Sequence, residues 1–210
     1  KKIINIKDTN LSQILEKDEA FLQGGLTVEN ALIPEKGRSQ LSLNYDSEGS
    51  FFSSYKYSLS NIFQLQLITG SSKGINLSSK KNFDLRNTYL NKNNFNYRVG
   101  GKILFLSPQK NDPFWLSSRV SLGRDLQSRQ GYFFYDLTST FRINNRLAFN
   151  ISPTYLFSGV NNLAAVGISK FINLSENKLF IAETNVGLDK NSENNFTFSL
   201  RHLPNKDRKI

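Results

Sequence analysis

Cysteine and methionine are absent from the 210 residues, and histidine and tryptophan occur once each, as His202 and Trp115. Without cysteine there is no disulfide framework, no thiolate metal site and no cysteine nucleophile. A single histidine cannot build a multi-histidine metal centre or the usual acid–base pair of a hydrolase. The glycine-rich phosphate and dinucleotide loops and the Asp-x-Asp-x-Asp-Gly calcium loop are missing as well. Enzyme chemistry is the weakest reading, no cofactor or metal is expected, and His202 reads as a surface residue near a strand end. Alanine is scarce, with 6 residues against 17 Phe and 8 Tyr, which disfavours an all-α fold. Long apolar runs are missing too. The longest, such as Tyr132–Tyr135 and Leu179–Ala182, hold four residues, whereas a membrane-spanning helix needs about 20. A β-barrel is untouched by that argument, because its strands need only alternate.

What is present is basic, polar and aromatic. Lys and Arg number 27 against 17 Asp and Glu, a formal charge of +10 and a pI near 9.7. The excess is scattered singly apart from the two ends, so it reads as solubility and not as a nucleic-acid surface. Asn and Ser, 25 each, supply turns and an uncharged polar surface. The chain begins with Lys1 and not Met, as expected of a processed or trimmed form.

Residues 1–19 stand apart. Thr9 or Asn10 can cap a short helix with Leu11, Ile14 and Leu15 on one face. Two readings stay open: a terminal helix packed on the body, or a plug or periplasmic extension. Residues 20–203 are expected to form the body and 204–210 a basic tail. Gly24-Gly25 reads as an entry turn, and Leu22–Val28 as a further strand candidate.

From about residue 39 the apolar period becomes two. In 131–143, Phe133, Tyr135, Leu137, Phe141 and Ile143 share one face, and Phe134, Asp136, Thr138, Thr140 and Arg142 the other. Asn144-Asn145 then suits a tight hairpin turn, and 146–157 repeats the pattern with Leu147, Phe149, Ile151, Tyr155 and Phe157. Pro153 on that apolar face implies a bulge or a distorted pair. Residues 95–105, 114–122, 180–188 and 196–200 alternate likewise; 41–45, 51–59 and 62–69 do so less cleanly, and 75–90 is ambiguous. Asn/Ser/Gly/Asp clusters at 46–50, 70–74, 91–94, 107–113, 125–130, 158–162, 173–177 and 189–194 separate them. The expectation is an all-β, antiparallel up-and-down β-barrel of about ten strands (between roughly eight and twelve).

Alternation does not say which face is inside. A soluble barrel encloses the apolar face, and a membrane barrel turns it to lipid. Strands of 11 to 13 residues at 95–105, 131–143 and 146–157 exceed the globular mode of about 5–6 and suit a tilted membrane strand of about 9–11. The polar face is rich in Ser, Thr, Asn and Gly, and aromatics recur near strand ends, as in interfacial girdles. The run Val99-Gly-Gly-Lys-Ile-Leu-Phe-Leu-Ser-Pro, then Asp112-Pro-Phe-Trp-Leu and Val120-Ser-Leu-Gly-Arg-Asp, resembles small cyanobacterial outer-membrane β-barrel proteins of unassigned function. So do Leu179-Phe-Ile-Ala-Glu-Thr-Asn-Val-Gly-Leu and Asn195-Phe-Thr-Phe-Ser-Leu-Arg. The resemblance spans about residues 95–203 and implies an outer-membrane location; the basic tail Pro204–Ile210 departs from the aromatic last residue it would imply.

On this reading Phe133, Tyr135, Phe141, Phe149, Tyr155 and Phe157 face lipid. Arg98, Lys102, Arg119, Arg142 and Arg201 line the lumen against Asp136 and Glu183, five positive to two negative. Such a lumen is either an arginine–carboxylate network filling the interior or a path for a small anionic solute, in which case chloride passes more easily than potassium. Trp115 caps the lumen or anchors at the interface. The alternatives are a soluble barrel enclosing an apolar ligand and a subunit packing its aromatic face in a larger assembly.

Overall fold

The computed structural model describes residues 24–25, 28–45, 51–72, 94–107, 114–126, 131–144, 146–158, 162–175, 178–188 and 194–202. They form ten strands: β1 (Ser39–Tyr45), β2 (Phe51–Ser60), β3 (Phe63–Ser72), β4 (Asn94–Leu106), β5 (Phe114–Asp125), β6 (Gly131–Asn144), β7 (Leu147–Phe157), β8 (Asn162–Ser175), β9 (Lys178–Gly187) and β10 (Asn195–His202). All ten lie in one sheet in sequence order, and each neighbouring pair is antiparallel. No helix occurs among the described residues. The helix expected within 1–19, the ambiguous stretch 75–90 and the tail 204–210 lie outside them.

The expected closed barrel needs correction. No ladder joins β1 to β10 among the described residues, so the sheet is open along those edges. It is nevertheless strongly curled. Lys56 of β2 reaches Glu29, and Arg201 of β10 reaches Gly24. A side chain at Gly24 would itself come within 3.2 Å of Glu29 Oε2. In a flat sheet β2 and β10 would lie roughly 38 Å apart, at about 4.8 Å per strand. Two side chains can meet at one spot only if the sheet bends round it.

Period-two patterning puts the polar residues inside this curl. β6 alternates exposed or half-buried Phe133, Tyr135, Leu137 and Phe141 with buried Tyr132, Phe134, Asp136, Thr138 and Thr140. β7 does the same, with Asn150, Ser152 and Thr154 buried and Ile151, Tyr155 and Phe157 exposed. Pro153 produces a distorted pair and not a bulge. Asp136 sits opposite Thr154 and Ser139 opposite Ile151, one register, with Leu137 and Thr138 missing from the ladder between them, as expected where proline lacks an N–H.

Candidate functional site

The inner face is occupied by the chain's own residues 24–25 and 28–33. Irregular backbone buried there must find partners for its polar groups, and the reversal begins with the Gly25 N–H donating to the Val28 carbonyl at 2.9 Å. Gly24 takes the left-handed φ of 68°, and a Cβ on Gly25 would lie 1.6 Å from Glu183 Oε1, so the two glycines suit the entry. The Val28 N–H donates to Glu183 Oε1 (3.0 Å) and the Ala31 N–H to Thr140 Oγ1 (2.7 Å). Thr140 then donates to Asn150 Oδ1 (2.6 Å), and Asn150 Nδ2 to Ser169 Oγ (2.8 Å), a hydrogen-bonded row from β6 to β8. Lys102 Nζ donates to the carbonyls of Asn30 (2.6 Å) and Leu32 (2.8 Å), and Arg201 Nη1 to that of Gly24 (3.0 Å). Ala31, Leu32 and Ile33 complete the seating by packing on Leu104 and Trp115.

Charges converge on the same loop. Lys56 Nζ lies 2.6 Å from Glu29 Oε1, and Arg119 Nη1 lies 3.5 Å from it. Arg119 also donates through Nε to Asp136 Oδ2 at 2.7 Å, through Nη2 to the same oxygen, and through Nη1 to Gln66 Oε1 at 3.4 Å. Glu29 belongs to the inserted loop and not to a strand. Burial pushes its carboxyl up, but Lys56, Arg119 and Lys102 outweigh burial and hold it well below the usual carboxylate range.

Arg98 breaks the rule. Lys56, Lys102, Arg119 and Arg201 each have an oxygen acceptor, whereas Arg98, only 2% exposed, leaves Nε and Nη1 without a hydrogen-bond partner. Its guanidinium lies over the Phe134 ring at 4.1 Å, and that of Arg119 lies 4.8 Å from the same centroid. A cation–π contact contributes about 0.5–2 kcal/mol. Each unmet buried donor costs about 1–3 kcal/mol, and desolvating the charge costs several more. The ring does not offset the cost.

Of the residues picked from sequence, Arg98, Lys102, Arg119, Asp136 and Glu183 are buried on the inner face. Arg201 is half-buried beside Gly24, and Arg142 is half-buried at the end of β6, its Nε donating to the Asn144 carbonyl at 3.3 Å. Tyr135, Phe141, Tyr155 and Phe157 are exposed on the outer face, and Phe133 and Phe149 are half-buried there. The aromatic face does not line an enclosed interior, which is the opposite of the arrangement needed by a soluble barrel around an apolar ligand. Trp115 points inward at 5% exposure, against the inserted loop.

Sequence reasoning missed Glu29, Lys56, Gln64 and Gln66. Lys56 and Glu29 carried a faint signal. Lys56 stands between Tyr55 and Tyr57 at an inward position of β2, and Glu29 is the acid in the apolar-flanked run 26–33. No family model matches the chain, and no curated protein matches it in sequence.

Proposed function

We propose that the chain is an outer-membrane β-barrel-type protein whose outer face meets lipid and whose interior is kept filled by its own residues 24–25 and 28–33. One observation carries the reading: the polarity of the sheet is reversed. Arg98, Lys102, Arg119, Asp136, Glu183 and a set of Ser, Thr, Asn and Gln are buried, while Leu, Ile, Val, Phe and Tyr stand exposed on the outer face of every strand, up to 70% for Phe198. In water the burial term would favour the opposite arrangement, at roughly 25 cal/mol per Å² of apolar surface. In a bilayer the reversed one is favoured.

Closure of β1 on β10 belongs to the same proposal. Lipid leaves no room for unpaired strand edges. In an up-and-down meander of ten strands the first and last run antiparallel, so the two edges are compatible. The filled interior favours a structural role over an open pore, and passage of a small anionic solute then requires the inserted loop to move.

The test uses the absence of cysteine. Leu41→Cys with Leu200→Cys, both on the outer faces of the edge strands, should be recovered in the membrane fraction and give an intramolecular disulfide on mild oxidation. Recovery in the soluble fraction without detergent contradicts the lipid assignment. Intermolecular disulfides alone would favour the subunit of a larger assembly.

A further inference from the structure

We propose that the inner face holds a binding site for a small monovalent inorganic anion, with Arg98 as its principal ligand. The proposal rests on the charges inside the sheet and stands whether or not lipid covers the outer face.

The charge inventory points there first. Lys56, Arg98, Lys102, Arg119 and the half-buried Arg201 face the carboxylates of Glu29, Asp136 and Glu183. With Arg201 half-buried, the described residues place four buried cationic side chains beside three carboxylates. Glu29 is engaged by Lys56 and Arg119, Asp136 by Arg119, and Lys102 by two backbone carbonyls. Among these cations Arg98 is the one with two unmet nitrogens, so the missing acceptor falls at a single buried guanidinium.

Position and walls narrow the ligand. Along its rung Arg98 stands between Ile68 of β3 and Gly123 of β5, and Gly123 faces Tyr132 of β6. The Tyr132 ring lies over Gly123, its Cζ 2.2 Å from where a Cβ would stand, and belongs to the buried apolar cluster of Tyr132, Phe134, Leu156 and Ala165. A single buried guanidinium with two unmet nitrogens suits a monovalent anion. Walls of aromatic and aliphatic carbon favour a compact, weakly hydrated one, of the halide class, over a phosphate with several oxygens to satisfy. An anion accepting from Arg98 gives charge-assisted hydrogen bonds to donors that the protein leaves unmet.

The experiment uses the full chain in detergent with sodium bromide as probe. Crystals grown in bromide should show an anomalous peak within hydrogen-bond distance of Arg98 Nε or Nη1. Heat unfolding at constant sodium, with bromide replacing gluconate, should show a saturable rise in Tm. Arg98→Gln should remove the peak and weaken bromide binding at least about tenfold, while Arg142→Gln, at the strand end, should change neither. Bromide found only at surface lysines is an adventitious ion only and overturns the site. A non-anomalous water at Arg98, or an Arg98→Gln protein with the wild-type bromide response, does so as well. If Arg98→Gln fails to fold, the wild-type anomalous map still decides.

Discussion

Two faces of one strand differ more than two halves of the molecule. On β6, Asp136, Thr138 and Thr140 are buried and hydrogen-bonded, and their immediate neighbours Tyr135 and Phe141 are exposed. Backbone, register and chain neighbours are shared, so the difference lies in what each face is solvated by. The inner face is solvated by the protein itself: Arg119, Ser152, Asn150 and the inserted loop supply the partners that water would otherwise provide. The outer face makes less of this demand, since its side chains are mostly Leu, Ile, Val, Phe and Tyr, with Ser139 the polar exception on β6. Substitutions of similar size should therefore have opposite consequences on the two faces.

The largest effect is expected from Asp136→Asn, which keeps the volume but leaves the buried guanidinium of Arg119 without its closest carboxylate. Loss of one partner of a buried pair costs about 3–5 kcal/mol, to be read from urea unfolding in detergent or vesicles. Next comes Val120→Arg on the outer face of β5. In a bilayer an arginine near mid-depth costs about 2–4 kcal/mol, whereas at a surface in water the change stays within about 0.5 kcal/mol. The same unfolding measurement with and without lipid separates the two. Lys102→Met removes two charge-assisted hydrogen bonds to the loop and should cost about 1.5–3 kcal/mol. Because Trp115 is the only tryptophan and packs on Leu32 and Ile33, its fluorescence should shift to the red as the loop loosens. Unchanged emission would mean that the loop is held without Lys102.

The smallest effect concerns pH. The Glu29 carboxyl is depressed below its unfolded value, which is about 4.3. Its contribution is therefore present above that value and is lost only as pH falls through the lower folded one. Trp115 emission and amide protection at Val28 and Ala31 should be the same at pH 6 and pH 5. Release of the loop between them would contradict the Lys56–Glu29–Arg119 cluster.

How much of this was legible in the sequence follows from residue size and polarity. β6 and β7 were readable because apolar and polar residues alternate along most of their length, with Phe134, Ser139 and Pro153 among the exceptions, and Asn144-Asn145 marks the turn. β8 was not: its buried positions are Ala165, Gly167, Ser169 and Phe171, and the exposed neighbour of Phe171 is Lys170, so two positions reverse the pattern and small residues blur the rest. Only the turn clusters on either side, 158–162 and 173–177, left an interval for it. The inward charges of β4, β5, β6 and β9 followed from parity once those strands were placed. Gly24-Gly25 was readable as an entry turn, but the course of residues 28–33 was not: a segment without regular structure has no period, and its register against the sheet is set by Lys102, Thr140 and Glu183, each distant in sequence. The barrel expected from the meander was not matched by the open edges of β1 and β10, since no local pattern encodes whether the first strand pairs with the last.

The assignment of lipid to the outer face is tested most directly along β6 itself. Single cysteines at 133, 134, 135, 136, 141 and 142, each carrying a nitroxide, can be placed in lipid vesicles and probed with oxygen, which concentrates in lipid, and with a water-soluble nickel chelate. High oxygen and low nickel accessibility at Phe133, Tyr135 and Phe141, with low values for both at Phe134 and Asp136, is the result predicted for an outer face in lipid around a filled interior. Nickel accessibility at Tyr135 and Phe141 equal to that of an aqueous surface would contradict it.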